Sequence, residues 1–261
     1  MRLPEALHAE WTKTRTVAST GWLLLAAIAL TAAVGAAAAA AVSCPSGLVC
    51  RVDPAKVSLT GIDLGQAVVA VVAVLAISSE YSTGMIRITL AAMPRRAVVL
   101  AAKATILGLQ VLAAGTIAVL GSVLAGRLLL SAHGFTPAHG YELLSLGHGE
   151  VLRAAAGSVL YLTLIALLGL GVAAAVRDSA VAIGIVLGLL YLFPIVANVV
   201  GNAQWHRHLE QFGPMSAGLA IQATTDLTSL PISPWAGLGV LAAWAAAALL
   251  AGGLVLGLRD A

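Results

Sequence analysis

Apolar residues run along this chain in six blocks separated by short polar breaks, at about 21–42, 62–79, 97–124, 152–176, 181–200 and 235–258. Each block approaches or exceeds the roughly 20 residues that a helix needs to cross the hydrocarbon core of a bilayer. The pattern predicts an all-α, polytopic membrane protein with six transmembrane helices, forming one domain over 1–261.

The polar breaks carry patterns of their own. Over 1–18, Leu3, Leu7 and Trp11 recur at four-residue spacing while Glu5, Thr12 and Lys13 fall away from them. This is the mark of a helix lying on a membrane surface. Pro4 suits its first turn, and Trp11 suits the headgroup layer. Such a helix is either a plain interfacial anchor or a lever that touches a cytoplasmic partner. Residues 1–16 are too polar for a usual signal peptide.

The break at 80–96 is basic and holds a second short amphipathic pattern. Met85, Ile86, Thr89, Leu90 and Met93 share one helical face, and Arg87 points elsewhere. Ser82 or Thr83 is suited to cap this helix. Pro94 stops it, and Arg95 and Arg96 then meet cytoplasm or lipid phosphates. Glu80 stands where the second span leaves the membrane. A carboxylate there is costly unless paired or wetted, so it is either a helix-end ion pair with a neighbouring Lys or Arg or part of a force-bearing hinge. Residues 201–233 are long, half polar and interrupted by Pro214 and Pro231. They are expected outside the membrane, or re-entrant and buried in protein.

Composition agrees with lipid as the solvent. Hydrophobic residues make up 60% of the chain and charged residues 10%, against about 25% charged in soluble domains. The net charge of +3 reflects basic cytoplasmic loops rather than affinity for nucleic acid. With the N-terminus inside, nine of the 14 Lys and Arg residues face the cytoplasm, including Arg87, Arg95, Arg96 and Lys103. Both termini are then cytoplasmic in a multi-pass plasma-membrane protein.

Cys44 and Cys50 flank a short loop after the first span. A disulfide is expected if that loop is extracellular, and two free thiols are the alternative. No His lies near them, so no metal site is expected. No GxxxxGK[ST] or HExxH occurs. Gly184 with Gly188, and Gly253 with Gly257, form GxxxG pairs, which serve packing within one subunit or a dimer interface. Gln110, Thr116, Thr163 and Asn198 are polar positions within spans. They could line a route for an apolar or amphipathic cargo, or bond between helices.

The run Glu80-Tyr81-Ser82-Thr83-Gly84-Met85-Ile86-Arg87, then Pro94-Arg95-Arg96 and Lys103, resembles the cytoplasmic loop of type-2 ABC transporter permeases. Glu10-Trp11-Thr12-Lys13-x-Arg15 resembles the start of actinobacterial members, and Phe212–Gly218 their outer segment before the last span. The similarity covers nearly the whole chain.

This resemblance implies an exporter's membrane subunit, not itself an enzyme, working by alternating access. Its partners would be a second permease, identical or paralogous, and a nucleotide-binding ATPase subunit that holds ATP and Mg²⁺. Residues 1–18, with Leu7, Trp11, Lys13 and Arg15, would be the connecting helix. Ser82–Met93 would be the coupling helix, with Glu80, Ser82, Thr83, Gly84, Met85, Arg87, Leu90, Pro94 and Arg95 passing force. Arg177 and Asp178 would form a smaller second contact, or else a turn with an internal ion pair. The cargo would be a drug, peptide, lipid or glycan. The rival readings are a six-span membrane enzyme or scaffold, for which no polar catalytic cluster is visible. An ion-coupled transporter is disfavoured by the scarcity of charge within the spans.

Overall fold

A computed structural model describes residues 3–16, 18–44, 52–85, 96–136 and 144–258. All the regular structure among them is helical. The elements are α1 (Leu3–Thr16), α2 (Ala18–Ala41), α3 (Pro54–Leu59), α4 (Ile62–Ser82), α5 (Arg96–Ala132), α6 (Gly149–Val176), α7 (Ser179–Val199), α8 (Ala203–Phe212), α9 (Pro214–Leu219) and α10 (Pro234–Leu258). Six helices are long and apolar enough to cross a membrane: α2, α3 with α4, α5, α6, α7 and α10.

Helix ends differ from the apolar blocks where polar residues still favour helix. α5 reaches Ala132, eight residues past the expected end, because nothing breaks it before Gly134 turns the chain at φ +95°. Its 37 residues span about 55 Å, more than the hydrocarbon core alone. The second span gains a preceding turn, α3, whose N-cap is Asp53.

α6 is the central helix. Tyr161, Leu162, Ile165, Leu168 and Leu170 are fully or almost fully buried along it, and it packs against α10, α4 and α5. α2, α7 and α10 lie at the periphery, with Leu25, Leu192, Ile195, Leu250 and Leu254 exposed. Outward apolar surface of this kind is what lipid contact requires. Exposed tryptophans sit toward both ends of the bundle: Trp11 and Trp22 at one, Trp205 and Trp235 at the other. This is the aromatic-belt distribution of membrane proteins.

Helix contacts are made by small residues. An added Cβ on Gly171 would lie 2.4 Å from Ala248 C, and one on Gly252 would lie 2.6 Å from Gly171 O. Gly61 meets Thr31 O in the same way, at 1.9 Å. Without a hydrophobic force between helices in lipid, such close backbone approach is the main source of association. The GxxxG glycines behave otherwise. Gly184, Gly188 and Gly257 have no neighbour within 4 Å, and Gly253 meets only the tip of Leu100. Packing inside the subunit therefore does not use the Gly184/Gly188 pair.

The end of the bundle away from Glu80 and Arg96 is closed by a polar clasp. Asp53 Oδ1 accepts from the backbone N–H groups of Ala55 and Lys56, both at 3.1 Å, and from Thr224 Oγ1 at 2.7 Å. Its Oδ2 accepts from the N–H groups of Thr224 at 2.6 Å and Thr225 at 3.2 Å. Arg153 Nη2 donates to Ala223 O at 2.6 Å. The 201–233 segment thus holds short helices against the bundle, with Ala217, Gly218 and Ile221 buried. Asp53→Ala is expected to lower stability by about 2 kcal/mol, through loss of a helix cap and of charge-assisted bonds. Equilibrium unfolding in mixed micelles measures it, and a change below about 0.5 kcal/mol would show the clasp to be hydrated.

Cys44 is disulfide-bonded. Its N–H donates to His133 O at 3.0 Å. Cys50, the chain's other cysteine, lies outside the described residues.

Candidate functional site

α4 ends in a built turn. Thr83 C-caps it, donating its N–H to Ser79 O and its hydroxyl to the same oxygen at 2.8 Å. Gly84 follows with φ +71°, the left-handed conformation that closes helices at little steric cost to glycine. Ser82 and Thr83 thus stand at the end of the second span, and the Thr83 hydroxyl is bonded within it; the helix that either was expected to cap lies outside the described residues. Met85 is helical again and 44% exposed. Arg87, Leu90, Pro94 and Arg95, with most of the expected coupling helix Ser82–Met93, lie outside the described residues.

One turn before that end, Glu80 points inward. It is 4% exposed, as are its neighbours Glu10 at 4% and Lys103 at 3%. Lys103 Nζ lies 2.5 Å from Glu80 Oε1 and 2.9 Å from Glu10 Oε2. Lys13 Nζ also donates to Glu80 Oε1 and lies 3.8 Å from Glu10 Oε1. Two carboxylates and two ammoniums thus form a neutral quartet that joins α1, α4 and α5.

Each position has a physical reason. Glu80 sits in the last turn of α4, where the helix dipole disfavours negative charge, so it requires cations. Lys103 lies two turns into α5, roughly 10 Å from its start, where an unpaired ammonium would be expensive. Glu10 and Lys13 are one turn apart on α1 and reach both. The quartet places Glu80 in a helix-end ion pair, brings in Glu10 and enlarges that pair to span three helices.

α1 is seated differently from the expected stripe. Its buried face is Ala6 and Glu10, and Ala6 packs on Val99 and Ala102 with Leu7 partly buried beside them. Trp11 is 43% exposed, and Arg15 stacks on its ring at 5.7 Å. The Leu7–Trp11 side is only partly used within the chain, because Glu10 must face Lys103.

A cavity of about 550 Å³ adjoins the quartet. Glu10, Lys13, Glu80, Lys103 and Gln110 supply its polar edge. Leu23, Leu75, Ala76, Ile106 and Leu107 form apolar walls. Of the four polar span residues, Gln110 alone lines it. Thr116 and Thr163 bond back to Leu112 O and Val159 O of their own helices, at 2.7 and 2.9 Å. Asn198 is exposed near the far end of α7. Among the described residues these four do not line one cavity.

The 176–180 turn is a double cap. Arg177 ends α6 at φ 65° and stacks on Tyr81 at 5.4 Å. Asp178 N-caps α7, accepting from Val181 N–H at 2.8 Å. The two side chains have different neighbours, so an internal ion pair does not describe the turn. Close by, Arg96 Nη1 donates to Leu256 O at 2.7 Å, covering a carbonyl of the last turn of α10.

No family model matches the chain, and no curated protein matches it.

Proposed function

We propose that this chain is the permease subunit of an ATP-driven exporter in the plasma membrane, with both termini cytoplasmic. It pairs with a second permease copy, identical or paralogous. A separate ATPase subunit docks on its 80–96 segment and binds ATP and Mg²⁺. The cargo is a drug, peptide, lipid or glycan.

The observation that carries this reading is the quartet. Glu80 stands at the root of the 80–96 segment, and Glu10 and Lys13 stand on α1. Lys103 ties both to the third span. A push on the segment or on α1 therefore reaches α4 and α5 together. A surface anchor alone would not need two buried carboxylates joined to a buried lysine. The motif resemblance supplies the partner class.

The decisive experiment co-expresses the chain with a candidate ATPase and reconstitutes the complex in liposomes. Cargo-stimulated ATP hydrolysis is expected from the complex and none from the chain alone. Met85→Asp, at the exposed root of the segment, is expected to reduce that stimulation roughly tenfold, the loss of one contact of about 1.4 kcal/mol, while leaving insertion intact. A cysteine replacing Arg95 should be reached by impermeant maleimide only from the cytoplasmic side. Labelling from outside intact cells would remove the proposal.

A further inference from the structure

α8 turns its aromatic side away from the protein. Trp205 and Phe212 are 64% and 62% exposed, and the His208 ring stands between theirs, its centroid 6.4 Å from each. The other side of the helix carries His206, Arg207, Glu210 and Gln211, which line a cavity of about 580 Å³ shared with Thr228 and Ser229. A helix on a water-soluble domain does the reverse, burying its apolar stripe and wetting its charges. The fold holds α8 in this attitude. Val200 is extended and Asn202 caps the helix, its side chain accepting from Gln204 N–H at 2.9 Å, so a break separates α8 from α7. At the far end Gln211 Nε2 donates to Pro231 O at 2.8 Å, and Trp244 Nε1 donates to Phe212 O at 3.0 Å.

We propose that α8 docks on the lipid surface at the end of the bundle away from Glu80. Trp205, His208 and Phe212 face the boundary between headgroups and acyl chains, and Arg207 and Glu210 face water. Continuity with the spans favours lipid as the occupant. Val199, the last residue of α7, is apolar and 82% exposed, so lipid-facing surface runs up to the start of α8. Indole and imidazole each join an apolar body to a polar tip, which suits the headgroup layer. Arg207 on the polar side is the cation that helices lying in this layer carry. A second copy of the chain is the other occupant that such a face could take. Three rings of this exposure offer on the order of 400 Å², about half of what one partner contributes to a stable protein interface. The 201–233 segment is then held from two sides, by the Asp53 clasp within the protein and by lipid under α8. The inference stands whether or not an ATPase drives the protein.

Photo-crosslinking of the full chain in phosphatidylcholine liposomes tests the occupant. The photoreactive residue p-benzoylphenylalanine replaces Trp205, Phe212 or Arg207, one position at a time, and adducts are read by mass spectrometry. Lipid adducts are expected at 205 and 212, at a yield at least about tenfold above that at 207. Adducts to a second copy of the chain at 205 and 212 overturn the lipid assignment, and so does the absence of adducts at both. Equal lipid yield at 207 overturns the orientation of the helix. A second measurement avoids the bulky label. Fluorescence of the wild-type chain is compared with that of Trp205→Phe, and the difference reports Trp205 alone. A nitroxide high on the acyl chain of the lipid should quench that difference strongly, and aqueous iodide weakly. Quenching by iodide with none by the lipid nitroxide places the ring in water and overturns the proposal.

Discussion

Replacement of Lys103 by Met will destabilise the chain by about 3–5 kcal/mol, the usual result of removing one partner from a buried ionic cluster. Lys103 is 3% exposed and is the nearest cation to Glu10. Without it, two carboxylates share only Lys13, whose side chain is already 26% exposed. A net negative charge then remains within the protein near the membrane boundary. The double replacement Glu80→Gln, Lys103→Gln will recover much of the loss, because Glu10 and Lys13 remain as a neutral i,i+3 pair. Reversible unfolding in mixed micelles measures both. A Lys103→Met loss below about 1 kcal/mol would mean that water already solvates the quartet. Limited proteolysis at Arg15 gives a second readout, since α1 should become cleavable when its ionic tether is cut.

The quartet is weak evidence for stability as such, because desolvating four charges offsets most of their attraction. Its value lies in position. Apolar contacts would let α1 slide on α5, whereas short N–H···O geometry fixes both register and angle. Glu80 is three residues from the Thr83 cap, and Gly84 follows with its permissive backbone. An ionic joint shared by three helices thus stands directly beside the glycine turn that closes α4. In the proposed exporter, that pairing would carry displacement of the 80–96 segment into α4 and α5 together.

The six spans were legible because long apolar blocks have few alternatives. The ends of α5 were not. Residues 125–132 contain Arg127 and Ser131, which lower hydropathy without opposing helix. Lys103 and Glu80 were visible as charges near span ends, but their partner Glu10 was hidden by its setting. On α1 it sits among polar residues, and only the approach of α5 to Ala6 turns that side inward. The signal lay in Ala6, Glu10 and Lys13, which follow at i, i+4 and i+7. An expectation of a Leu–Trp stripe obscured it. The Gln110 acceptor was singled out by sequence. Its difference from Thr116 and Thr163 was not: their hydroxyls bond back to their own helices, whereas Gln110 Oε1 is left without a partner among the described residues. The GxxxG spacing marks a smooth helix face without saying what covers it.

That distinction sets up a matched comparison of glycines. Gly171→Ala is expected to lower stability by about 3 kcal/mol, at the upper end of overpacking losses. Its added methyl would lie 2.4 Å from Ala248 C and 2.5 Å from Leu249 N. These are backbone atoms of α10, which no rotamer change can move aside. The nearby Gly252 approaches Gly171 O just as closely, so relief requires the two helices to separate along their shared face. Dispersion contacts are then lost over that length, and nothing in lipid replaces the attraction between them. Gly184→Ala and Gly188→Ala carry the same chemical change on α7, where a Cβ would meet nothing within 4 Å. They should change monomer stability by less than about 0.5 kcal/mol, or raise it slightly through alanine's better helix propensity. Unfolding of all three variants under one set of conditions separates close helix crossing from motif spacing. Equal losses at Gly171 and Gly184 would show that α7, like α6, is pressed against protein.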